Sequence, residues 1–152
     1  MINTTLSYIE KDGSYLMLHR IKKKNDVNHD KWIGVGGKFE AGESPFDCAR
    51  REIFEECGIK VKDLNYRGII TFVSDEYGTE YMHLFTAKEF DGEIDYSCDE
   101  GNLEWVKKER IPELPIWEGD KIFLELLDKE NRFFSLKLCY SKDMLTEHIL
   151  EF

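Results

Sequence analysis

The stretch Gly37-Lys38-Phe39-Glu40-Ala41-Gly42-Glu43-Ser44-Pro45-Phe46-Asp47-Cys48-Ala49-Arg50-Arg51-Glu52-Ile53-Phe54-Glu55-Glu56-Cys57-Gly58-Ile59 decides how the rest of the chain is read. Its second half has the punctuation of one helix. Ser44 is a suitable N-cap, Pro45 fits the first helical position, Asp47 completes a capping box, and Gly58 supplies a left-handed exit after Cys57. Phe46, Ala49, Ile53 and Cys57 recur at steps of three, four and four, so they form one apolar stripe facing a core. Glu52, Glu55 and Glu56 stand at i, i+3 and i+4 on a neighbouring arc. Like charges at that spacing destabilise a helix by roughly 0.2–0.5 kcal/mol per pair, so the cluster is unfavourable unless cations neutralise it. A hard divalent ion such as Mg²⁺ or Mn²⁺ suits an all-carboxylate set, and Mg²⁺ is commonly shared with substrate phosphates. A solvated acidic face is the alternative on spacing alone.

Working towards the N-terminus, Trp32-Ile33-Gly34-Val35-Gly36-Gly37 reads as a short strand running into a glycine loop. Before it, Leu6 to Ile9 and Tyr15 to Ile21 are apolar-rich and flank an Asp12-Gly13 hairpin signal. Towards the C-terminus, Ile69 to Val73, Tyr81 to Ala87 and Leu103 to Val106 read as strands, Pro112 and Pro115 mark a loop, Ile122, Phe123, Leu126 and Leu127 recur at helical spacing, and Phe133 to Tyr140 reads as a last strand. The expectation is a mixed sheet flanked by at least two helices, an α/β or α+β layer structure forming a single domain over residues 1–152.

The 152 residues are 41% hydrophobic and 34% charged, enough apolar material for one core. With 21 basic and 31 acidic side chains the net charge is -10, which excludes a sequence-independent grip on a nucleic-acid polymer. Residues 1–40 nevertheless hold seven basic against five acidic groups, whereas residues 61–152 hold eleven against twenty-one. The basic set, Arg20, Lys22, Lys23, Lys24, Lys31 and Lys38, could attract a small polyanion or simply form a solvated loop. Cys48, Cys57, Cys98 and Cys139 lack the spacing of a zinc site or a disulfide framework, and no apolar run approaches a bilayer span, so a cytoplasmic protein without membrane contact is expected. A monomer and a homodimer both remain open.

From Gly37 to Ile59 the chain follows G-x5-E-x7-R-E-U-x-E-E-x-G-U at all nine specified positions, U being a bulky aliphatic residue. This resembles the Nudix box, and fainter similarity to MutT-type nucleoside triphosphate diphosphatases extends over most of the chain, notably Lys31 to Lys38 and the region of Trp117. The resemblance implies a Nudix α/β/α sandwich and Mg²⁺- or Mn²⁺-dependent hydrolysis of a small nucleotide carrying a diphosphate link. By position it implies metal ligation by Glu52, Glu55, Glu56 and a carbonyl of Gly36 or Gly37, with Glu55 or Glu56 helping to deprotonate water. Glu43 and Arg51 match a structural ion pair. Glu100, in Asp99-Glu100 before Trp105, stands where several relatives place an acidic residue that reaches the metal, and is a second base or ligand unless it merely belongs to an acidic turn.

For the substrate, the resemblance implies an oxidised purine triphosphate such as 8-oxo-dGTP, with Trp117 stacking on the base and Asp120 reading its edge. A core aromatic and a helix N-cap are the alternatives for these two residues. Phe72, Lys23 and Lys38 would line the same cleft, with packing or solvation as their alternatives. Two positions depart from the subgroup: Gly119 replaces an acidic residue and Ile33 replaces an asparagine beside the glycine loop. The box does not separate triphosphates from ADP-ribose or dinucleoside polyphosphates. A non-catalytic nucleotide-binding module would typically have lost box carboxylates that are present here.

Overall fold

A computed structural model describes all residues 1–152. The chain opens with β1 (Ile2–Lys11) and β2 (Ser14–Arg20), joined through Asp12 and Gly13, both with positive φ (51° and 76°) as the tight turn between twisted strands requires. β3 (Trp32–Ile33), β4 (Val35–Lys38) and α1 (Pro45–Cys57) follow, then β5 (Lys60–Val61), β6 (Asn65–Ser74), β7 (Gly78–Ala87), β8 (Phe90–Asp91), β9 (Ser97–Cys98) and β10 (Gly101–Lys107). A 3-10 helix (Lys108–Glu113) leads to α2 (Glu118–Lys129), and β11 (Phe134–Ser141) and β12 (Met144–Glu151) close the chain.

The main sheet runs β12-β11-β6-β7-β1-β2-β10-β9, with β3 added to β2 and β4 to β1. It is mixed, since β1 lies parallel to β7 and β11 parallel to β6 while the other neighbours are antiparallel. Alternation along the strands sends side chains to two cores. Leu6, Tyr8, Tyr15, Met17, Leu84 and Leu136 meet Phe123 and Leu127 of α2 on one face. Ile9, Leu16, Leu18, Val35 and Leu103 meet Ile53 and Cys57 of α1 on the other. The sheet is therefore sandwiched between the two helices, in the α/β/α layering implied by the sequence.

Both caps of α1 form as read. Ser44 accepts from the Asp47 N–H (3.1 Å), Asp47 accepts from the Ser44 N–H (3.0 Å), and Gly58 takes φ 77°. Ala49, Ile53 and Cys57 are fully buried, with Phe46 only partly covered. Two readings need correction. Pro112 lies inside the 3-10 helix rather than in an open loop, because its fixed φ is compatible with a short tight helix. The last strand is β12, not the segment ending at Tyr140; Met144 to Glu151 is exposed almost throughout, so it carries no alternation that could announce it.

Candidate active site

β1 and β2 pair only beside their turn, at Glu10↔Tyr15 and Lys11↔Ser14, and then diverge. β4 covers the freed edge of β1 from Thr4 to Ser7, and β3 covers β2 at Leu18 and His19. The Gly34-Val35-Gly36-Gly37 run crosses this split, where side chains do not fit. A Cβ on Gly36 would lie 1.8 Å from the Thr5 carbonyl oxygen, and one on Gly37 would lie 2.6 Å from the Glu52 carboxylate. Glycine thus brings the strand directly onto the acidic arc of α1.

Glu56 is the deepest of the three helix carboxylates. Oε2 accepts from the Gly36 N–H (3.3 Å), and the side chain makes no ion pair. Burial, reinforced by the charges of Glu100 and Glu52, pushes its pKa up to about 9. Glu52 is also raised, mainly by burial, although it accepts from Arg51 Nη1 at 2.8 Å. Glu55, more exposed, accepts from the same nitrogen at 3.2 Å. Arg51 also grips Glu43 through two bonds, Nε to Oε2 (2.7 Å) and Nη2 to Oε1 (2.9 Å), and donates to the Lys38 carbonyl (3.0 Å). This fork joins the glycine loop to the helix and holds the Glu43 carboxyl below its ordinary pKa.

The carboxylates do not converge on one point as they stand, since Glu52 and Glu55 lean on Arg51 and Glu56 on the backbone. Their chemistry nevertheless fits a hard divalent cation: the donors are all oxygen, and Glu56 is a buried carboxylate with no counter-charge paired to it.

Glu100 belongs to the turn between β9 and β10, and its field reaches Glu56 and Glu52. Arg20 holds it, donating from Nη1 to Glu100 Oε2 (2.9 Å) and from Nε to Asp26 (2.6 Å), and Lys23 Nζ lies 3.6 Å from Oε1. Lys22 Nζ donates to Ser97 (2.9 Å) and to the Cys98 carbonyl (2.7 Å). Much of the basic segment is therefore strapped to the acidic turn. Lys38 ends β4 exposed beside the Arg51 fork.

The other end of the split is aromatic. Trp117, buried at the N-cap of α2, meets Phe72 and Tyr140 edge to face, with centroids 5.7 and 5.1 Å away. Its Nε1 donates to Asn28 Oδ1 (2.8 Å), and Lys31 Nζ lies 4.8 Å from its ring centroid. Asp120 is not the N-cap, because the helix already starts at Glu118. It is 6% exposed, and burial raises its pKa to about 8 against the opposing charge of Lys31. Gly119 is explained by packing, since a Cβ there would meet Leu138 Cδ1 at 2.5 Å and the Tyr140 hydroxyl at 2.7 Å. Instead the Gly119 N–H donates to that hydroxyl (2.7 Å). Ile33 packs into the core under α1, away from the Trp117 cluster.

Tyr8 connects the two ends. Its ring lies under Gly34, where a Cβ would be 3.0 Å from Cζ, its buried hydroxyl has no side-chain partner, and the charge of Asp120 acts on it. Gly36, two residues on, anchors Glu56. Sequence reasoning missed Tyr8, Tyr140, Asn28 and the clamping role of Arg20. Strand alternation could have buried both tyrosines, but no local signal brings Tyr140 to Trp117.

The structure thus sets a glycine crossing against a carboxylate-bearing helix on one face of an α/β/α sandwich. The NUDIX domain family matches residues 5–127. An oxidized purine nucleoside triphosphate hydrolase of Danio rerio is 35% identical over 132 residues, covering 85% of this chain and 83% of its own, and one of Mus musculus is 32% identical over 114 residues, covering 73% and 71%. The crystal structure of a mutator MutT protein from Bacillus halodurans superposes with a TM-score of 0.88 at 29% identity, covering 99% of this chain and 98% of that one. The chain belongs to the Nudix family, and it is a pyrophosphohydrolase acting on nucleotide substrates. No helix is long and apolar enough to cross a membrane.

Proposed function

We propose that the protein is a divalent-metal-dependent nucleoside triphosphate diphosphatase that converts a triphosphate, with oxidised purines such as 8-oxo-dGTP as preferred substrates, to the monophosphate and pyrophosphate. One observation carries the reading: the Gly34 to Gly36 stretch joins a carboxylate end, where buried Glu56 makes no ion pair, to an aromatic end holding Trp117, Phe72 and Asp120.

Glu52, Glu55, Glu56 and a carbonyl of Gly36 or Gly37 would hold Mg²⁺ or Mn²⁺. When bound, such an ion neutralises charge along the phosphates and makes an attacking water more acidic. A carboxylate of Glu55, Glu56 or Glu100 takes the proton from that water. Arg20 holds Glu100 where its charge acts on Glu56, and the Glu43–Arg51 fork holds the loop against the helix. Lys23 and Lys38 face the phosphates with positive charge, while Trp117 and Phe72 receive the base and Asp120 meets its edge.

The test is a panel of unmodified and oxidised nucleoside triphosphates, ADP-ribose and a dinucleoside polyphosphate, each with Mg²⁺ or with EDTA. Metal-dependent pyrophosphate release, fastest from an oxidised purine triphosphate, is expected. Faster cleavage of ADP-ribose or of the dinucleotide, or full turnover in EDTA, defeats the reading.

A further inference from the structure

The backbone around Lys31 is fixed on three sides. Its N–H donates to the Asn28 carbonyl (2.8 Å), its own carbonyl accepts from the Arg20 N–H (3.0 Å), and the next N–H, of Trp32, donates to the Pro115 carbonyl (2.9 Å). The last bond ties the start of β3 to the segment that delivers Trp117. The Lys31 side chain then leaves its ammonium over the Trp117 ring, 4.8 Å from the centroid and within 4 Å of no carboxylate. Lys31 is also the charged group whose field acts on Asp120, one turn into α2 from that ring. The polar groups around the ring are thus the Lys31 ammonium, a buried carboxyl and the Tyr8 hydroxyl, which has no side-chain partner, set among Phe72, Tyr140 and Trp117.

We propose that Lys31 is a specificity residue of the base pocket: its ammonium moves from the Trp117 ring onto a carbonyl oxygen of the incoming base while Asp120 meets the adjacent ring N–H, so that bases with a keto edge are preferred over bases with an amino edge. This rests on the nucleotide-hydrolase reading above and names the substrate class of the same pocket. The physical reason is donor and acceptor matching. A lysine ammonium carries three donors and no acceptor, so it pairs with a carbonyl oxygen, whereas an amino group turns another donor towards it. Shielding by the three rings strengthens both the match and the mismatch.

Deoxyinosine and deoxyadenosine triphosphates isolate the difference, because they differ only at the six-position and its neighbouring ring nitrogen. The wild-type protein is expected to show a higher kcat/KM on the inosine substrate, by about tenfold or more. Lys31→Met, which keeps the aliphatic stem, should remove that preference by lowering the inosine value, and Lys31→Arg should keep it. Absence of a keto preference in the wild type, or an equal change on both substrates in Lys31→Met, overturns the proposal. Calorimetric titration of the same proteins with inosine and adenosine monophosphates separates this from the hydrolase reading. If no triphosphate of the panel above, oxidised or not, is cleaved, that reading fails, yet tighter wild-type binding of the inosine nucleotide that Lys31→Met abolishes still supports the role of Lys31. Equal binding of the two monophosphates rejects it.

Discussion

The two ends of the split between β1 and β2 each bury a carboxylate, and their surroundings differ. Glu56 lies in the field of Glu100 and Glu52, with one backbone N–H and the more distant charge of Arg20 for support. Asp120 lies beside aromatic rings, with a single lysine for charge. Desolvation raises both groups, but the remedies are opposite. An array of oxygens with excess negative charge calls for cations and phosphate, whereas an isolated acid among rings calls for a proton or for a ligand's polar edge. On the proposed reading, chemistry and selectivity are divided between these two places, which the glycine crossing joins.

If that division holds, changes at the carboxylate end should abolish turnover and leave base preference alone. Glu56→Gln is expected to lower kcat by about 10²-fold or more while the variant stays folded by circular dichroism, because the amide fills the same space without the charge. Retained turnover would put the chemistry elsewhere. Gly37→Ala should cost about 10-fold to 10²-fold in kcat/KM, since the new methyl group displaces the Glu52 carboxylate it would meet at 2.6 Å. The fall should be alike for all bases, and a base-dependent fall would blur the two ends.

At the aromatic end the expected effects are on stability and selectivity. Gly119→Ala should destabilise the fold by about 1–3 kcal/mol through overpacking against Leu138 and the Tyr140 hydroxyl, as read by denaturant titration. The other effect is a pH slope. The Asp120 pKa is about 8 in the folded protein against an ordinary 3.8, so the native state keeps a proton that the unfolded chain has released. This group's contribution to stability is greatest below pH 3.8, falls as pH rises towards 8 and is flat beyond. Asp120→Asn removes that slope, so its Tm should gain on the wild type by roughly 5–15 °C between pH 5 and 8. A constant difference across that range would show that Asp120 is ionised in the fold.

The carboxylate end was legible because its determinants are local. The capping box, the stripe and the glutamate arc lie within one helix, and helix periodicity brings them together whatever the rest of the chain does. The aromatic end joins Tyr8, Lys31, Phe72, Trp117 and Tyr140 from five separate elements. The resemblance pointed to Trp117 and the inward strand to Phe72, but the places of Tyr140 and Lys31 follow from strand pairing and from the Trp32 to Pro115 tether, which leave no local pattern. Gly119 looked like a missing acid; packing shows it to be the space taken by a tyrosine hydroxyl. The Ile33 replacement faces the other core altogether.

Tyr140 stands on β11, beyond the end of the family match at residue 127. A change on this strand would therefore reach the Trp117 ring and the Gly119 N–H directly, while the carboxylate helix is built wholly from another part of the chain.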